Sequence, residues 1–231
     1  MKKIEIKEFG GPEVLEIKNV DIGKPGQNEV LVKNLSIGIN YIDTYHRSGL
    51  YPIPLPSGIG LEACSIIEEV GSEVKLFKVG DRVTRASMPI GTYSEKQIIP
   101  EDKLVKVPDN ISDEVASCIT LKGITAEYLL HRTYQVKKGD KILYHAAAGA
   151  LGQIFCPWAN ALGAEIIGTV GSDEKIEIAK KNGCHHVINY NEKNFVEEVE
   201  KIVGKNGLDV VYDGVGAKTF EGSIEVLKVR G

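Results

Sequence analysis

The sequence predicts an α/β chain in two parts, a β-rich first half and a doubly wound parallel sheet in the second. Three observations carry this reading. Short runs of period-two alternation, parted by Gly and Pro turns, fill residues 1 to about 110. From about residue 140, short apolar runs alternate with segments of helical periodicity, as strands covered on both faces by helices require. At the first of those strand–helix junctions stands a run of small residues, His145-Ala146-Ala147-Ala148-Gly149-Ala150-Leu151-Gly152.

In chain order, Ile4–Lys7 and Val14–Lys18 alternate around the turn Gly10-Gly11-Pro12, the pattern of a hairpin. Glu29–Lys33 follows the breaker Lys24-Pro25-Gly26, and Cys64–Val70 ends at Gly71. Asp81–Thr84 and Tyr93–Ile99 complete a set suited to an all-β barrel or sandwich. Between them, Asn40–Ser48 places Tyr41, Ile42, Tyr45 and His46 at near-helical spacing between Gly38 and Gly49, predicting a short inserted helix. The loop 51–56 follows it.

Ser112–Cys118, capped by Ser112, and Thr125–His131 read as two further helices. Strands are then expected at 141–146, 165–170, 186–189 and 208–212, and helices at 151–162, 173–181, 193–203 and 217–227. In the third of these, Phe195, Val196, Val199, Ile202 and Val203 share one face. Pro157 lies beyond the first turn of its helix, so a kink is expected near Gln153.

Composition narrows the function classes. The 231 residues are 42% hydrophobic and 26% charged, with a net charge of −4. That balance suits a globular core and argues against nucleic acid or an anionic membrane as partner. No apolar run reaches membrane-spanning length. The four cysteines, Cys64, Cys118, Cys156 and Cys184, are scattered without a CxxC pair, which fits buried thiols in a reducing cytoplasm better than a disulfide framework.

The small-residue run is suited to a phosphate-binding turn. Without bulky side chains the backbone can approach a pyrophosphate, and the N–H groups at a helix start point at the anion. In fingerprint register Ala147, Gly149 and Gly152 take the three glycine positions, so the motif is degenerate and its strand–helix setting gives it weight. The second strand ends Gly171-Ser172 without the carboxylate that binds ribose hydroxyls in NAD sites. Asp173 comes later, where it also suits a helix N-cap. Ser172, Lys175 and Tyr190 around this strand end suit a 2′-phosphate, which favours NADPH. The five histidines, His46, His131, His145, His185 and His186, form no ligand-spaced cluster, so no metal is expected.

With these motifs in place, the chain resembles the zinc-free quinone oxidoreductase (zeta-crystallin-like) branch of the medium-chain dehydrogenase/reductase superfamily. The matching stretches are 10–15, 38–45, 47–51, 80–83, 121–126, 146–152, 187–190 and 211–216. The resemblance implies a GroES-like β-rich catalytic domain over 1–122 and an NADPH-binding Rossmann domain over 123–231. Zinc relatives carry a cysteine where Asn40 stands and a histidine where Leu61 stands, so the catalytic zinc is expected to be missing. Without that Lewis acid, alcohol–aldehyde chemistry gives way to reduction of a quinone, already a strong electron acceptor.

The resemblance further implies a nicotinamide near Asn40 and Thr125, with Tyr45 and Tyr51 lining the acceptor pocket and Arg47 near its mouth. Tyrosines suit a flat acceptor by stacking and by hydrogen bonding to its oxygen. These are expected to be positioning groups working by proximity, with no obligatory proton relay among them. Asp43 is expected to structure the helix. The cofactor positions carried over are Asn40, Thr125, Ala148, Gly149, Ala150, Leu151, Gly152, Gly171, Ser172, Lys175 and Tyr190.

Two departures from the family stand out. Ala150 replaces a second consecutive glycine in the turn. The chain stops at Gly231, where the family enters the fifth of six Rossmann strands, so a C-terminally truncated form is expected, with strand 208–212 left as an edge. The family's homodimer contact, between sixth strands, is then expected to be lost. Two alternatives stay open: an NADPH-dependent reductase of enones or enals, and a non-catalytic nucleotide-binding or structural protein.

Overall fold

The computed structural model describes all residues from Met1 to Gly231, and the chain divides into two compact units, Met1–Leu121 and Lys122–Gly231.

In the first unit, β1 (Lys2–Ile6) and β2 (Glu16–Asn19) form the expected antiparallel hairpin. Its loop contains a 3₁₀ turn at Pro12–Val14, so the second strand begins at Glu16 rather than Val14. Then come β3 (Glu29–Gly38), α1 (Tyr41–Ser48), β4 (Ser57–Gly58), β5 (Glu62–Val70), β6 (Arg82–Ala86), β7 (Lys96–Pro100) and β8 (Val105–Lys106). The strands make a three-stranded sheet in the order β2-β1-β4 and a five-stranded sheet in the order β7-β3-β5-β6-β8, all antiparallel. Val30, Val32, Ile67, Val83, Ile99 and Leu104 fill the core of the larger sheet.

The two helices expected at Ser112–Cys118 and Thr125–His131 are a single helix, α2 (Asp113–Tyr128), ending in a π-type turn at Leu129–Thr133. Gly123 lies inside it. A mid-helix glycine costs about 1 kcal/mol relative to alanine, too little to end a helix that buries Ala116, Ser117 and Ala126 on either side of it. Ser112 caps it as expected, its Oγ accepting from Val115 N at 3.3 Å.

The second unit alternates β9 (Lys141–Tyr144), α3 (Gly152–Ala161), β10 (Glu165–Val170), α4 (Ile176–Lys181), β11 (His186–Asn189), α5 (Phe195–Val203), β12 (Val210–Tyr212) and α6 (Phe220–Glu225). Its sheet is parallel, in the order β11-β10-β9-β12. Numbered within the unit this is 3-2-1-4, the beginning of the doubly wound order. Adjacent strand residues face opposite sides. Ile142, Tyr144 and Ile166 pack with Phe155, Cys156, Ala159 and Ala179 of α3 and α4. Leu143, Ile167 and Ile188 pack with Phe195, Val199 and Val226 on the other face.

The first strand is shorter than the expected 141–146. It ends at Tyr144 because Ala146 turns into the left-handed region, at φ 58°. Helix α3 runs through Pro157 from Gly152 to Ala161. β12 lies at the sheet edge, as expected, although Leu227 bridges to Leu208 in parallel beside its start.

Candidate active site

Within the first unit, α1 and the end of β3 bring the acceptor-side residues together. Asn40 is the N-cap, in extended conformation, and its N–H donates to Asp43 Oδ2 at 2.9 Å. The same oxygen accepts from Tyr93 Oη at 2.9 Å, tying the start of α1 to the segment before β7. Asp43 is buried, and its second oxygen, Oδ1, has no hydrogen-bond partner. Burial pushes its pKa above the ordinary carboxylate value, against the opposing pull of the bonds from Asn40 N and Tyr93 Oη. Burial raises the Tyr93 phenol as well, with the Asp43 charge adding to it.

The side chain of Asn40 donates through Nδ2 to Glu62 Oε2 at 2.9 Å, while Glu62 Oε1 accepts from Leu121 N at 2.7 Å. Glu62 is wholly buried. A carboxylate can only accept, so Glu62 fixes which end of the Asn40 amide faces it. Leu61, at the other position where zinc relatives carry a ligand, is a buried aliphatic side chain, and nowhere do three His, Cys, Asp or Glu side chains converge as a metal-binding group.

Tyr45 lies one turn along α1. Its ring meets Tyr51 edge-on at 5.2 Å and Tyr41 at 5.4 Å. Gly49, at φ 80°, ends the helix against Phe9, and Tyr51 N then donates back to Tyr45 O at 3.1 Å. This reversal is what sets Tyr51 beside Tyr45. Tyr51 is 50% exposed and Tyr41 77%. Arg47 Nε donates to Gly10 O at 3.2 Å, and Gly10 N donates to Arg47 O at 3.1 Å, so Arg47 anchors α1 to the first hairpin loop.

Within the second unit, the small-residue run forms a compact turn between β9 and α3. Gly149 N donates to Ala146 O at 2.8 Å and Ala147 N to Thr169 O at 3.0 Å. The amides of Ala148, Ala150, Leu151 and Gly152 make no hydrogen bond, and Gly149 and Ala150 are exposed. A Cβ on Gly152 would overlap the Ala147 carbonyl, so only glycine lets α3 start this close to the end of β9. Unpaired amides at a helix start, in a turn stripped of side chains, fit a pyrophosphate. Gly149 contributes by having no side chain, since its own N–H is turned inward.

At the ends of β10 and β11, Tyr190 Oη would lie 3.2 Å from a Cβ on Gly171, so the phenol leans over a bare backbone. Asn191 Nδ2 donates to Gly171 O at 2.7 Å and holds the two strand ends together. Asp173 accepts from Asn189 Nδ2 at 2.8 Å, and Ser172 takes the N-cap position, so Asp173 is not the cap the sequence suggested. That bond takes one oxygen, Oδ1, of its exposed carboxylate. Lys175 is exposed, and Thr125 lies in α2 on the second-unit side of the chain division.

Asn40, Tyr45 and Tyr51 are thus gathered on one short helix and its exit, and the small-residue turn and the β10–β11 ends form a second set. Sequence reasoning missed Tyr93 and Asn191, and saw Glu62 only as a reference position. A glutamate within the apolar stretch Leu61–Ile67 was the one visible signal. The pairings of Tyr93 and Asn191 span 50 and 20 residues and have no local signature.

A β-rich unit joined to a doubly wound parallel sheet, with a phosphate-suited turn after the first strand, defines a two-domain nicotinamide-dependent oxidoreductase of the medium-chain type. Family models agree: residues 26–109 match the alcohol dehydrogenase GroES-like domain, and residues 150–231 match the zinc-binding dehydrogenase model. The chain belongs to the quinone oxidoreductase branch of the medium-chain dehydrogenase/reductase superfamily. It is 48% identical to a quinone oxidoreductase of Pseudomonas aeruginosa, over all of this chain and 71% of the relative. It is 47% identical to a 2-haloacrylate reductase of a Burkholderia species, over 98% of this chain and 70% of the relative. The structure superposes on Escherichia coli quinone oxidoreductase complexed with NADPH with a TM-score of 0.96 at 49% identity, covering all of this chain and 71% of that one.

Proposed function

We infer that this chain is an NADPH-dependent quinone reductase that works without zinc. The observation that carries the cofactor choice is the end of β10: the strand runs out in Gly171 and Ser172 with no acidic residue at the end itself, Asp173 beyond it has Oδ1 tied to Asn189, and the Tyr190 phenol leans over the bare backbone of Gly171 with Lys175 exposed three residues after Ser172. The amides of Ala148, Ala150, Leu151 and Gly152 are proposed to hold the pyrophosphate, and Ser172, Lys175 and Tyr190 the 2′-phosphate. NADPH, when bound, supplies the reducing equivalents. Asn40 and Thr125 are assigned to the nicotinamide end.

On the acceptor side, Tyr45 and Tyr51 offer ring faces and edges to a flat molecule and phenol Oη–H groups to its carbonyl oxygens. Asp43 and Glu62 act behind them, the first by fixing the start of α1 and the second by fixing the Asn40 amide. Arg47 is assigned to the rim through its anchoring of α1 on Gly10. The donor set supports a zinc-free reading, since an amide tied to Glu62 and a leucine stand at the ligand positions of zinc relatives. The free thiols support a cytoplasmic location.

A second reading has one specific observation behind it: a relative at 47% identity is a 2-haloacrylate reductase, which reduces an activated alkene. Titrating NADPH and NADH into the purified chain, followed by cofactor fluorescence, tests the cofactor. NADPH is expected to bind at least about tenfold tighter, and equal affinities would remove the argument from Ser172, Lys175 and Tyr190. Comparing NADPH oxidation with a quinone and with an enone then separates the two reductase readings. NADPH binding by a folded chain that turns over neither would leave a non-catalytic protein.

A further inference from the structure

We propose that His145 is a positioning residue for the cofactor: as its Nε2–H tautomer it locks Ser223 and Asp213, and through them the loop 214–216 beside the phosphate-binding turn. This rests on the NADPH reading above.

His145 is the residue after β9, 2% exposed, and its N–H donates to Tyr212 O at 3.0 Å. Because β9 and β12 are parallel neighbours, the small-residue turn and the loop after Tyr212 leave the sheet side by side at its carboxyl edge. That edge is where doubly wound sheets bind their ligands. The imidazole links both. Nδ1 is 2.8 Å from Thr169 Oγ1, and Nε2 is 3.0 Å from Ser223 Oγ. Ser223 Oγ is in turn 2.7 Å from Asp213 Oδ2. The other oxygen, Oδ1, accepts from Val215 N at 2.9 Å, Gly216 N at 3.0 Å and Thr219 Oγ1 at 2.9 Å.

The proton positions in this chain follow from chemistry. Burial alone would raise the Asp213 pKa, but the donors from Gly216, Ser223, Thr219 and Val215 together hold it below the ordinary carboxylate value. Asp213 is therefore an acceptor only, and the single Ser223 proton goes to it. Ser223 Oγ can then only accept from His145, so Nε2 carries the hydrogen. Burial depresses the His145 pKa, opposed by the Asp213 charge, whose Oδ2 is 3.9 Å from Nε2. The neutral ring leaves Nδ1 to accept from Thr169 Oγ1–H. Phe195 meets the ring edge-on at 5.1 Å and offers no polar alternative. The result is a directed chain, Thr169 to His145 to Ser223 to Asp213, which joins β10, the end of β9 and α6 to the loop that Asp213 wraps. The loop's amides are turned inward onto the carboxylate, and its backbone is held at a fixed height next to the turn.

The test has two arms. In the wild-type protein labelled with ¹⁵N, long-range ¹H–¹⁵N correlation reads the tautomer directly, with the signal assigned by its loss in His145→Gln. The expected pattern is protonated Nε2 and bare Nδ1 at neutral pH, with the imidazolium forming only at a lower pH than in an ordinary histidine. A protonated Nδ1, or an imidazolium forming near neutral pH, would overturn the chain. The second arm measures the NADPH Kd. His145→Phe, which keeps a planar aromatic ring and removes both polar atoms, is expected to weaken binding about tenfold or more, and Ser223→Ala to weaken it several-fold. His145→Gln, whose amide can both donate and accept, is expected to stay within about threefold of wild type. A purely structural ring would make Phe the better replacement, so the reverse order of Phe and Gln, at equal thermal stability, overturns the inference. A wild-type chain that does not bind NADPH at all brings down the cofactor reading itself. A wild type that binds while His145→Phe binds equally well brings down only the role of His145.

Discussion

The turn after β9 and the helix α1 are both proposed binding elements, but they are built from opposite materials. The turn offers backbone: unpaired amides at Ala148, Ala150, Leu151 and Gly152, and space where side chains are missing. Helix α1 offers side chains: Asn40, held by Glu62 across 22 residues, and Tyr45 and the neighbouring Tyr51, whose rings pack on one another. A backbone site tolerates almost no added atom, whereas a side-chain site can lose one group and keep the rest. That difference orders the expected effects of mutation.

The largest effect falls on the turn. Gly152→Ala places a methyl on the Ala147 carbonyl, and neither atom can move without shifting α3 or the end of β9. Misplacing a binding element by about 1 Å can cost on the order of 100-fold, and a loss of that size in NADPH affinity is expected. Fluorescence titration of NADPH checks it. An affinity within a few-fold of wild type would mean the turn is not a backbone cradle.

Next comes the support of α1. Asp43→Ala removes the acceptor for both Asn40 N and Tyr93 Oη, and leaving such donors without a partner costs about 2–3 kcal/mol of stability. Urea denaturation would measure it. The sign of the pH dependence also follows. Asp43 has its pKa raised on folding, so the folded state takes up the proton more readily than the unfolded chain. Its contribution is fully present below the ordinary carboxylate value and is lost as pH rises through the raised folded value. Asp43→Asn should flatten that part of the stability profile, and an unchanged slope would assign it to another group.

The same contrast explains what the sequence disclosed. The alternation of apolar runs and helices after residue 140 is local, and with it came the four parallel strands, the turn and the acid-free end of β10. The length of α2 is not legible locally, because Gly123 and the β-branched Ile119, Thr120, Ile124 and Thr125 weaken a helical pattern that tertiary packing completes. On α1 the helix was visible from the spacing of Tyr41, Ile42, Tyr45 and His46. Its role came from the family resemblance alone, because pairings such as Asp43 with Tyr93 and Asn40 with Glu62 form only when distant strands meet. The directed chain through His145 was hidden for the same reason: Thr169, Asp213 and Ser223 are ordinary polar residues until the sheet brings them together.

A smaller effect is expected on the acceptor face. Tyr45→Ala removes one ring from an edge-to-face set in which Tyr41 and Tyr51 remain, and aromatic contacts of this kind are worth about 0.5–1.5 kcal/mol each. The KM for a quinone should rise up to about tenfold while the NADPH Kd stays unchanged. If both constants moved together, Tyr45 would be holding the fold of its unit rather than the acceptor.

The smallest effect tests whether the turn's neighbourhood obeys the backbone rule throughout. Lys175 is an exposed side chain on the short 3₁₀ segment after Ser172, free of the packing that constrains the turn. Lys175→Ala should weaken NADPH only about three- to tenfold and leave NADH unaffected, because an exposed ammonium facing a phosphate is screened by solvent. The same reasoning gives a second signature: the preference for NADPH should shrink as salt is raised in the wild type, and shrink less in the variant. Backbone amides and the Tyr190 phenol are less sensitive to ionic strength. A preference that survives both the substitution and high salt would therefore place discrimination in Ser172, Tyr190 and the bare backbone of Gly171, making the β10 end a backbone-built site like the turn.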